Sequence, residues 1–268
     1  MSWATAGGTT TAVKEWYEAN AQHFEQVLAV EGGFLGLSPA EQVRLNQFKL
    51  WAVARGGLVS LEGKRVLDFG CGHGRLAMEL RGYTSYVGVD ISSNLVRIGR
   101  RRLTEAGLSD RAQLVAADCL AFKGPREWFD VVCSLGMFSF VEQPRAVLQK
   151  MVDHLRPGGL LFIDVHYASP LYAAIRRSRW ERQRRKGGAP RRAFTEREVQ
   201  ALLTEAGLSN VRCLMREYPF LGPLYARTGW HAVLGLRNQL ARRRVFNVLG
   251  TDFFAFGRKP MPEATARG

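Results

Sequence analysis

No apolar run in this 268-residue chain approaches the roughly 20 residues that a helix needs to cross a bilayer, so a membrane-spanning protein is not expected. Cysteine is scarce. Cys71, Cys119, Cys133 and Cys213 stand far apart with no C-x-x-C pair, which argues against a disulfide framework and a structural zinc site. Most of them fall in or beside expected strands, where a small buried thiol in a reduced, cytosolic protein is the natural reading. Met1 to Thr11 has neither a basic start nor an apolar stretch, so no secretory leader is expected. Internal repeats and low-complexity tracts are missing, as is any His, Cys, Asp and Glu grouping with metal-ligand spacing. One further gap is informative. A dinucleotide fingerprint, G-x-G-x-x-G beginning at Gly70, would need glycine at 75, and the chain has Arg75.

What remains is a globular composition, 46% apolar, long enough for one α/β domain with additions. The net charge of +14 is concentrated. Residues 176–192 carry nine Arg or Lys against Glu181, and residues 227–244 carry five Arg and no acid, leaving the rest of the chain near neutral. Such discrete basic segments suggest anion-facing additions on a neutral core.

The most telling stretch is residues 64–74, Lys-Arg-Val-Leu-Asp-Phe-Gly-Cys-Gly-His-Gly. Val66 to Phe69 suits a buried parallel strand, and glycines at 70, 72 and 74 then form a turn into a helix beginning at Arg75. Glycines at such a turn let the backbone bend and bring a ligand close to bare N–H groups. The next strand ends in Asp90, placed to accept hydrogen bonds from a ribose diol.

Strands are expected near 64–69, 84–90, 111–116, 129–135, 159–166, 209–217 and 251–258. Helices are expected near 11–30, 75–81, 92–106, 142–155 and from a Thr195 cap to about Glu205, with Gly207 as the stop; Ser38-Pro39-Ala40-Glu41 reads as a further helix start. Alternating strands and helices predict a doubly wound, mostly parallel sheet. The expected division is a helical cap over 1–60, a core over 61–167, a basic lid insert over 168–194, the rest of the core over 195–260 with a basic helical insert at 219–248, and a loose tail over 261–268.

The D-x-G-x-G-x-G turn resembles motif I of the class I S-adenosylmethionine-dependent methyltransferases. Further matches follow in order: Val87-Gly88-Val89-Asp90-Ile91-Ser92, Ala116-Ala117-Asp118-Cys119, Phe129 through Gly136, and Leu155-Arg156-Pro157-Gly158-Gly159-Leu160-Leu161. The resemblance covers about residues 64–166. It implies an α/β, Rossmann-like, doubly wound seven-stranded sheet of order 3-2-1-4-5-7-6 with a helical cap and helical lid inserts. It also implies S-adenosyl-L-methionine as cofactor, held by Tyr17, Asp68, Gly70, Cys71, Gly72, Gly74, Asp90, Ile91, Ala117, Asp118, Cys119, Ser134 and Leu135. Within that set Asp90 would hold the ribose, Asp118 the adenine amino group, and Tyr17 would lay its hydroxyl over the methionine moiety. A turn acid is the competing reading of Asp118, and Trp16, Tyr17 and Phe24 read by spacing alone are core. Asp68 is expected to orient the loop through its backbone N–H groups. His73 is read as structural or cofactor-adjacent.

Methyl transfer from a sulfonium needs alignment and desolvation, and a base only where the acceptor arrives protonated. His166 is the first candidate for that base, with Tyr167 beside it and His231 as the alternative; His166 bonded to a loop carbonyl is the competing reading. No Asn-Pro-Pro-Tyr motif follows the fourth strand, which argues against the adenine-amine and glutamine-amide methylating subgroups. Met137, Phe138, Phe140, Tyr167, Tyr172 and Phe220 offer an apolar lining for a small or lipid-linked organic acceptor methylated on oxygen or nitrogen. The alternative acceptor is RNA, gripped by the arginine-rich segment around Trp180, and a non-catalytic cofactor-binding regulator is a third reading. Trp230 to Leu249 mixes apolar residues with Arg237, Arg242, Arg243 and Arg244, which suits either an anionic membrane surface or packing on the core or in a homodimer.

Overall fold

The computed structural model describes residues 10–29, 61–80, 82–168, 192–217 and 252–262. A first helix, α1 (Thr10–Ala29), precedes β1 (Arg65–Phe69), α2 (Arg75–Glu79), β2 (Ser85–Asp90), α3 (Ser93–Glu105), β3 (Ala112–Ala116) and β4 (Phe129–Ser134). A 3-10 turn at Phe138–Phe140, α4 (Pro144–His154), β5 (Leu155–Tyr167), β6 (Ala193–Phe194), α5 (Glu196–Glu205), β7 (Ser209–Glu217) and β8 (Asp252–Arg258) complete the described elements.

The sheet runs β3-β2-β1-β4-β5-β8-β7. Once the two-residue β6 is set aside, this is the expected order 3-2-1-4-5-7-6. Among the described strands, only β8 runs antiparallel to the rest, pairing with β5 and β7. Among the described residues the short β6 is an addition beside the expected seven strands. It pairs Ala193 with His166 and Tyr167 with Phe194, alongside the end of β5 that extends past its last pairing with β4 at Ile163. β5 itself is longer than expected at both ends, because Leu155 pairs with Phe129 before the Pro157-Gly158 irregularity and its far end is held by β8.

Alternate residues on each central strand enter opposite cores, as period-two geometry requires. Leu67, Val132, Ile163 and Phe253 face α4 and α5; Val66, Val131, Phe162 and Phe254 face α2 and α3. Both faces are covered, so the strands read as nearly continuous apolar runs. Each such side chain fully removed from water contributes about 1.5–3 kcal/mol.

Local signals account for the helix ends. Pro144 sits at the start of α4, where its missing N–H costs nothing. Thr195 and Glu198 form a reciprocal capping box on α5. The α3 start is capped twice. Ser92 Oγ accepts from Leu95 N–H, while the N–H groups of Ser93 and Asn94 donate to the carboxylate of Glu18 on α1 at 2.7 and 3.0 Å. Burial works against ionised Glu18, but these bonds and those from the Ser92 and Ser93 hydroxyls outweigh it and hold its carboxyl below the ordinary value. A carboxylate on the N-terminal dipole of α3 thereby pins α1 across the sheet's C-terminal edge.

No described helix is long and apolar enough to cross a membrane. The 38–41 helix start, most of the basic insert at 168–194, the basic segment at 219–248, Tyr172, Trp180, Phe220 and His231 lie outside the described residues, and with them the nucleic-acid, membrane-surface and homodimer expectations.

Candidate cofactor and active site

At the C-terminal edge of the sheet, between the strand ends and α1, is a cavity of about 290 Å³. The loop after β1 forms its floor. Gly70, Gly72 and Gly74 all take left-handed backbone conformations, with φ of +79°, +55° and +73°. Gly70 needs the absence of a side chain, since a Cβ there would stand 2.3 Å from Met137 Cβ. Gly72 opens onto free space, with nothing within 4 Å of the position its Cβ would take.

The loop N–H groups are not bare, which corrects the expectation drawn from the glycines. Gly70 and Cys71 donate to the Val89 carbonyl, Gly74 donates to the Cys71 carbonyl, and Gly72 donates to Asp90 Oδ2 at 2.8 Å. The end of β2 consumes the donors that a phosphate-binding loop would present. What the loop offers is close approach, and a carboxylate fixed beside it. Asp90 also accepts from Ser92 N–H at 2.9 Å, so both oxygens are oriented by backbone. Burial raises its carboxyl above the ordinary range against the pull of these bonds.

Asp68 does not orient the loop through backbone N–H groups. It is buried, accepting from the Tyr86 hydroxyl at 2.5 Å and the Cys133 thiol at 3.5 Å. Burial pushes it up to about 6, the hydrogen bonds pull the other way, and the neighbouring Asp90 and Asp164 add to the rise. Burial likewise lifts the thiols of Cys71 and Cys133 well above their ordinary value, so both stay protonated and unreactive.

Of the cofactor residues expected from sequence, Tyr17, Asp68, Gly70, Cys71, Gly72, Asp90, Ile91, Ala117, Asp118, Cys119 and Leu135 line this cavity together. Asp118 accepts from Leu120 N–H at 2.7 Å, so it is a turn acid and a lining residue at once. Tyr17 serves as core and lining, packing on Leu95 and Ile98 and edge-on to Phe140 at 6.0 Å. Two expected residues fall elsewhere. Gly74 caps α2, its Cβ position facing Leu114 at 2.9 Å, and Ser134 is wholly buried in β4 with its hydroxyl unpartnered.

Of the expected acceptor-side residues, Met137 lines the cavity. Phe138 does not; it is fully buried against Phe194. His166 and Tyr167 are the last two residues of β5, and neither lines the cavity. Tyr167 packs edge-on against Phe253. His166 Nδ1 bonds the buried carboxylate of Asp252, not a loop carbonyl, and its ring lies edge-on to Phe140, which does line the cavity. His73 is held neutral, its value pushed down to about 3 by burial first and then by Arg102 and Arg75. Its Nδ1 lies 2.7 Å from Arg102 Nη1, and arginine keeps its protons, so Nδ1 accepts and the ring proton is on Nε2.

Sequence reasoning missed several contributors. Thr10, Val13, Arg75, Leu76, Glu79, Leu120, Glu142 and Gln143 also line the cavity. Asp164 accepts from Gly136 N–H and fixes the turn after β4. Among the described residues no group of three or more His, Cys, Asp or Glu is arranged to hold a metal ion.

Comparison with known proteins decides the family. A profile described as a methyltransferase domain matches residues 40–212. The chain belongs to the class I S-adenosylmethionine-dependent methyltransferase family. Its curated relatives include ubiquinone biosynthesis O-methyltransferases from Stutzerimonas stutzeri, 35% identical over 42% of this chain and 48% of the relative, and from Pseudomonas putida, 37% identical over 52% and 57%. The chain thus matches about half the length of these relatives. Among solved structures, the [4+2]-cyclase SpnF superposes with a TM-score of 0.66 at 19% identity, covering 95% of this chain and 98% of that one. Magnesium protoporphyrin IX methyltransferase from Synechocystis PCC 6803, with bound S-adenosylhomocysteine, superposes with a TM-score of 0.64 at 14% identity, covering 94% and 100%. At those identities the likeness is one of fold, and a cyclase among the neighbours shows that this fold hosts more than one chemistry.

Proposed function

We propose that this methyltransferase binds S-adenosylmethionine in the cavity under α1 and transfers its methyl group to a hydroxyl of a small organic acceptor, such as a ring hydroxyl of a quinone-type, lipid-linked intermediate. The observation that carries the cofactor assignment is the convergence of the β1 loop, the acids ending β2 and following β3, and Tyr17 of α1 on one space of about 290 Å³. The residues present suit the group. Gly72 leaves room for close approach, Asp90 offers an oriented carboxylate for a diol, and Asp68 and Asp90 provide negative charge for a ligand carrying an ammonium and a sulfonium. A cation arriving beside Asp68 would lower its pKa and favour the ionised form.

When bound, the cofactor supplies an electrophilic methyl group, and the chain's residues provide the rest. Leu135, Met137, Phe140 and Val141 give the cavity an apolar wall that excludes water from the acceptor side. Asp164 and Glu18 hold that wall and the roof in place, through Gly136 and through the start of α3. Pre-set alignment of two reactants removes several kcal/mol of barrier, about 7–11 in the best intramolecular cases. Oxygen as the acceptor atom is supported by the named activity of the curated relatives.

The test is incubation of the purified chain with S-adenosylmethionine carrying a labelled methyl group and a fractionated metabolite extract. Label recovered as methyl ethers of small, solvent-extractable compounds is expected. Label confined to RNA or protein, or found on nitrogen alone, would overturn the reading.

A further inference from the structure

The cavity and the chain carry opposite charge. The whole sequence has a formal net charge of +14, yet the described cavity lining holds five acids, Asp68, Glu79, Asp90, Asp118 and Glu142, against one arginine, Arg75. Four of these acids are already engaged. Asp68 accepts from Tyr86 and Cys133, Asp90 from Gly72 and Ser92, and Asp118 from Leu120, while Glu79 is paired with Arg75 at 3.5 Å. Glu142 differs. It is exposed, between the 3-10 turn at Phe138–Phe140 and the start of α4 at Pro144. Its carboxylate has one partner among the described residues, the Thr10 hydroxyl of α1 at 3.4 Å. Phe140 and Val141, just before it, belong to the apolar wall on the acceptor side. A carboxylate without a cation thus stands at the rim of the acceptor's space.

From this arrangement we infer that Glu142 is a specificity-determining residue that sorts acceptors by charge, admitting neutral and cationic hydroxyl compounds and rejecting those that carry a carboxylate or a phosphate. The inference rests on the O-methyl reading above and adds to it the charge class of the acceptor. A cleft lined by one sign of charge concentrates its field, and apolar walls weaken the screening by water. An anionic acceptor entering along that wall would give up hydration while facing a like charge. A neutral acceptor meets no such cost, and a cation is drawn in. The charge of the whole chain predicts the reverse, because a basic surface attracts anions from a distance. The two fields therefore give opposite orders of preference for acceptors that differ in charge alone.

The experiment uses the full chain with S-adenosylmethionine and three acceptors that share one pair of ring hydroxyls. These are 4-ethylcatechol, which is neutral, dopamine, which is cationic, and 3,4-dihydroxyphenylacetate, which is anionic. At low salt kcat/KM for the anion should lie about tenfold or more below that for the neutral compound, and dopamine should equal or exceed the neutral compound. Glu142→Gln should narrow the gap between neutral and anionic acceptors several-fold, and Glu142→Lys should reverse it. Sodium chloride at about 0.5 M should narrow the gap in the unaltered chain. Equal use of all three acceptors, preference for the anion, or a gap that Glu142→Lys leaves unmoved would overturn the inference and leave the O-methyl reading standing. If none of the three is methylated, the methyl ethers formed in the labelled metabolite extract are passed over an anion exchanger. Products that run through unretained, with a retained fraction that grows for Glu142→Lys, uphold the inference, and retained products from the unaltered chain overturn it. An extract that yields no methyl ether overturns the O-methyl reading itself, and the charge selection falls with it.

Discussion

Asp130 and Asp68 sit on adjacent strands, at opposite edges of the sheet, in opposite electrostatic settings. At the N-terminal edge, burial alone would raise Asp130, but hydrogen bonds from the backbone and side chain of Arg65 and from Arg156 outweigh it and hold the carboxyl below its ordinary range. At the C-terminal edge, Asp68 has a phenol and a thiol for partners and two more acids nearby, and is pushed up to about 6. The first arrangement joins β1, β4 and β5 and is complete without a ligand. The second keeps negative charge buried beside a cavity, a cost that a cationic ligand would offset. Perturbed carboxylates gather where chemistry is done, and here they separate the stabilising edge from the working edge.

The comparison can be broken first at the glycine loop. Gly70→Ala forces a Cβ to within 2.3 Å of Met137 at φ +79°. A loss of about 3 kcal/mol in unfolding free energy is expected from strain and overpacking together, together with loss of cofactor binding. Denaturant titration and calorimetry would check both.

Asp68→Asn sharpens the contrast, because stability and binding should move in opposite directions. The native carboxyl holds its proton more tightly than the unfolded chain, whose value is near 3.8. Its contribution to stability is therefore full below pH 3.8 and lost as the pH rises toward about 6. At pH 7.5 the amide should melt at the same temperature as the native protein or higher, yet bind S-adenosylmethionine at least about tenfold more weakly. By the same sign, the unaltered protein should lose cofactor affinity as the pH falls through 6.

Asp130→Ala should do the reverse, costing about 1–2 kcal/mol of stability through lost charged hydrogen bonds, with cofactor affinity unchanged. Glu18→Gln should have the smallest effect, a few-fold weaker cofactor affinity and faster hydrogen exchange in α1. That helix is tied to the start of α3 through this carboxylate.

Much of the working edge was legible because it is local. β1, β2, β3 and β4 are apolar runs ended by acids or glycines, and each boundary fell within a residue of its expected place. The residues that line the cavity cluster at those strand ends, so the motif that marks the strand also marks the lining. What was not legible is long-range or very short. Glu18 lies 75 residues from Ser93, Tyr86 lies 18 from Asp68, and Asp252 lies 86 from His166; no periodicity encodes such pairs. β6 is two residues long and the turn at Phe138–Phe140 three, too short to carry a pattern. Gly74 was misplaced because a glycine needed for left-handed geometry at a helix start looks in sequence like one needed for a ligand.

The most direct test of the account is calorimetric titration of S-adenosylhomocysteine into three proteins, the unaltered chain, Asp90→Ala and Asp130→Ala. Saturable one-to-one binding is predicted for the first. Asp90→Ala should weaken it by at least about tenfold, since it loses the carboxylate that Gly72 and Ser92 orient toward the cavity. Asp130→Ala should bind as the unaltered chain does. Absent binding, or equal weakening from both edges of the sheet, would contradict the assignment of the cavity as the cofactor site.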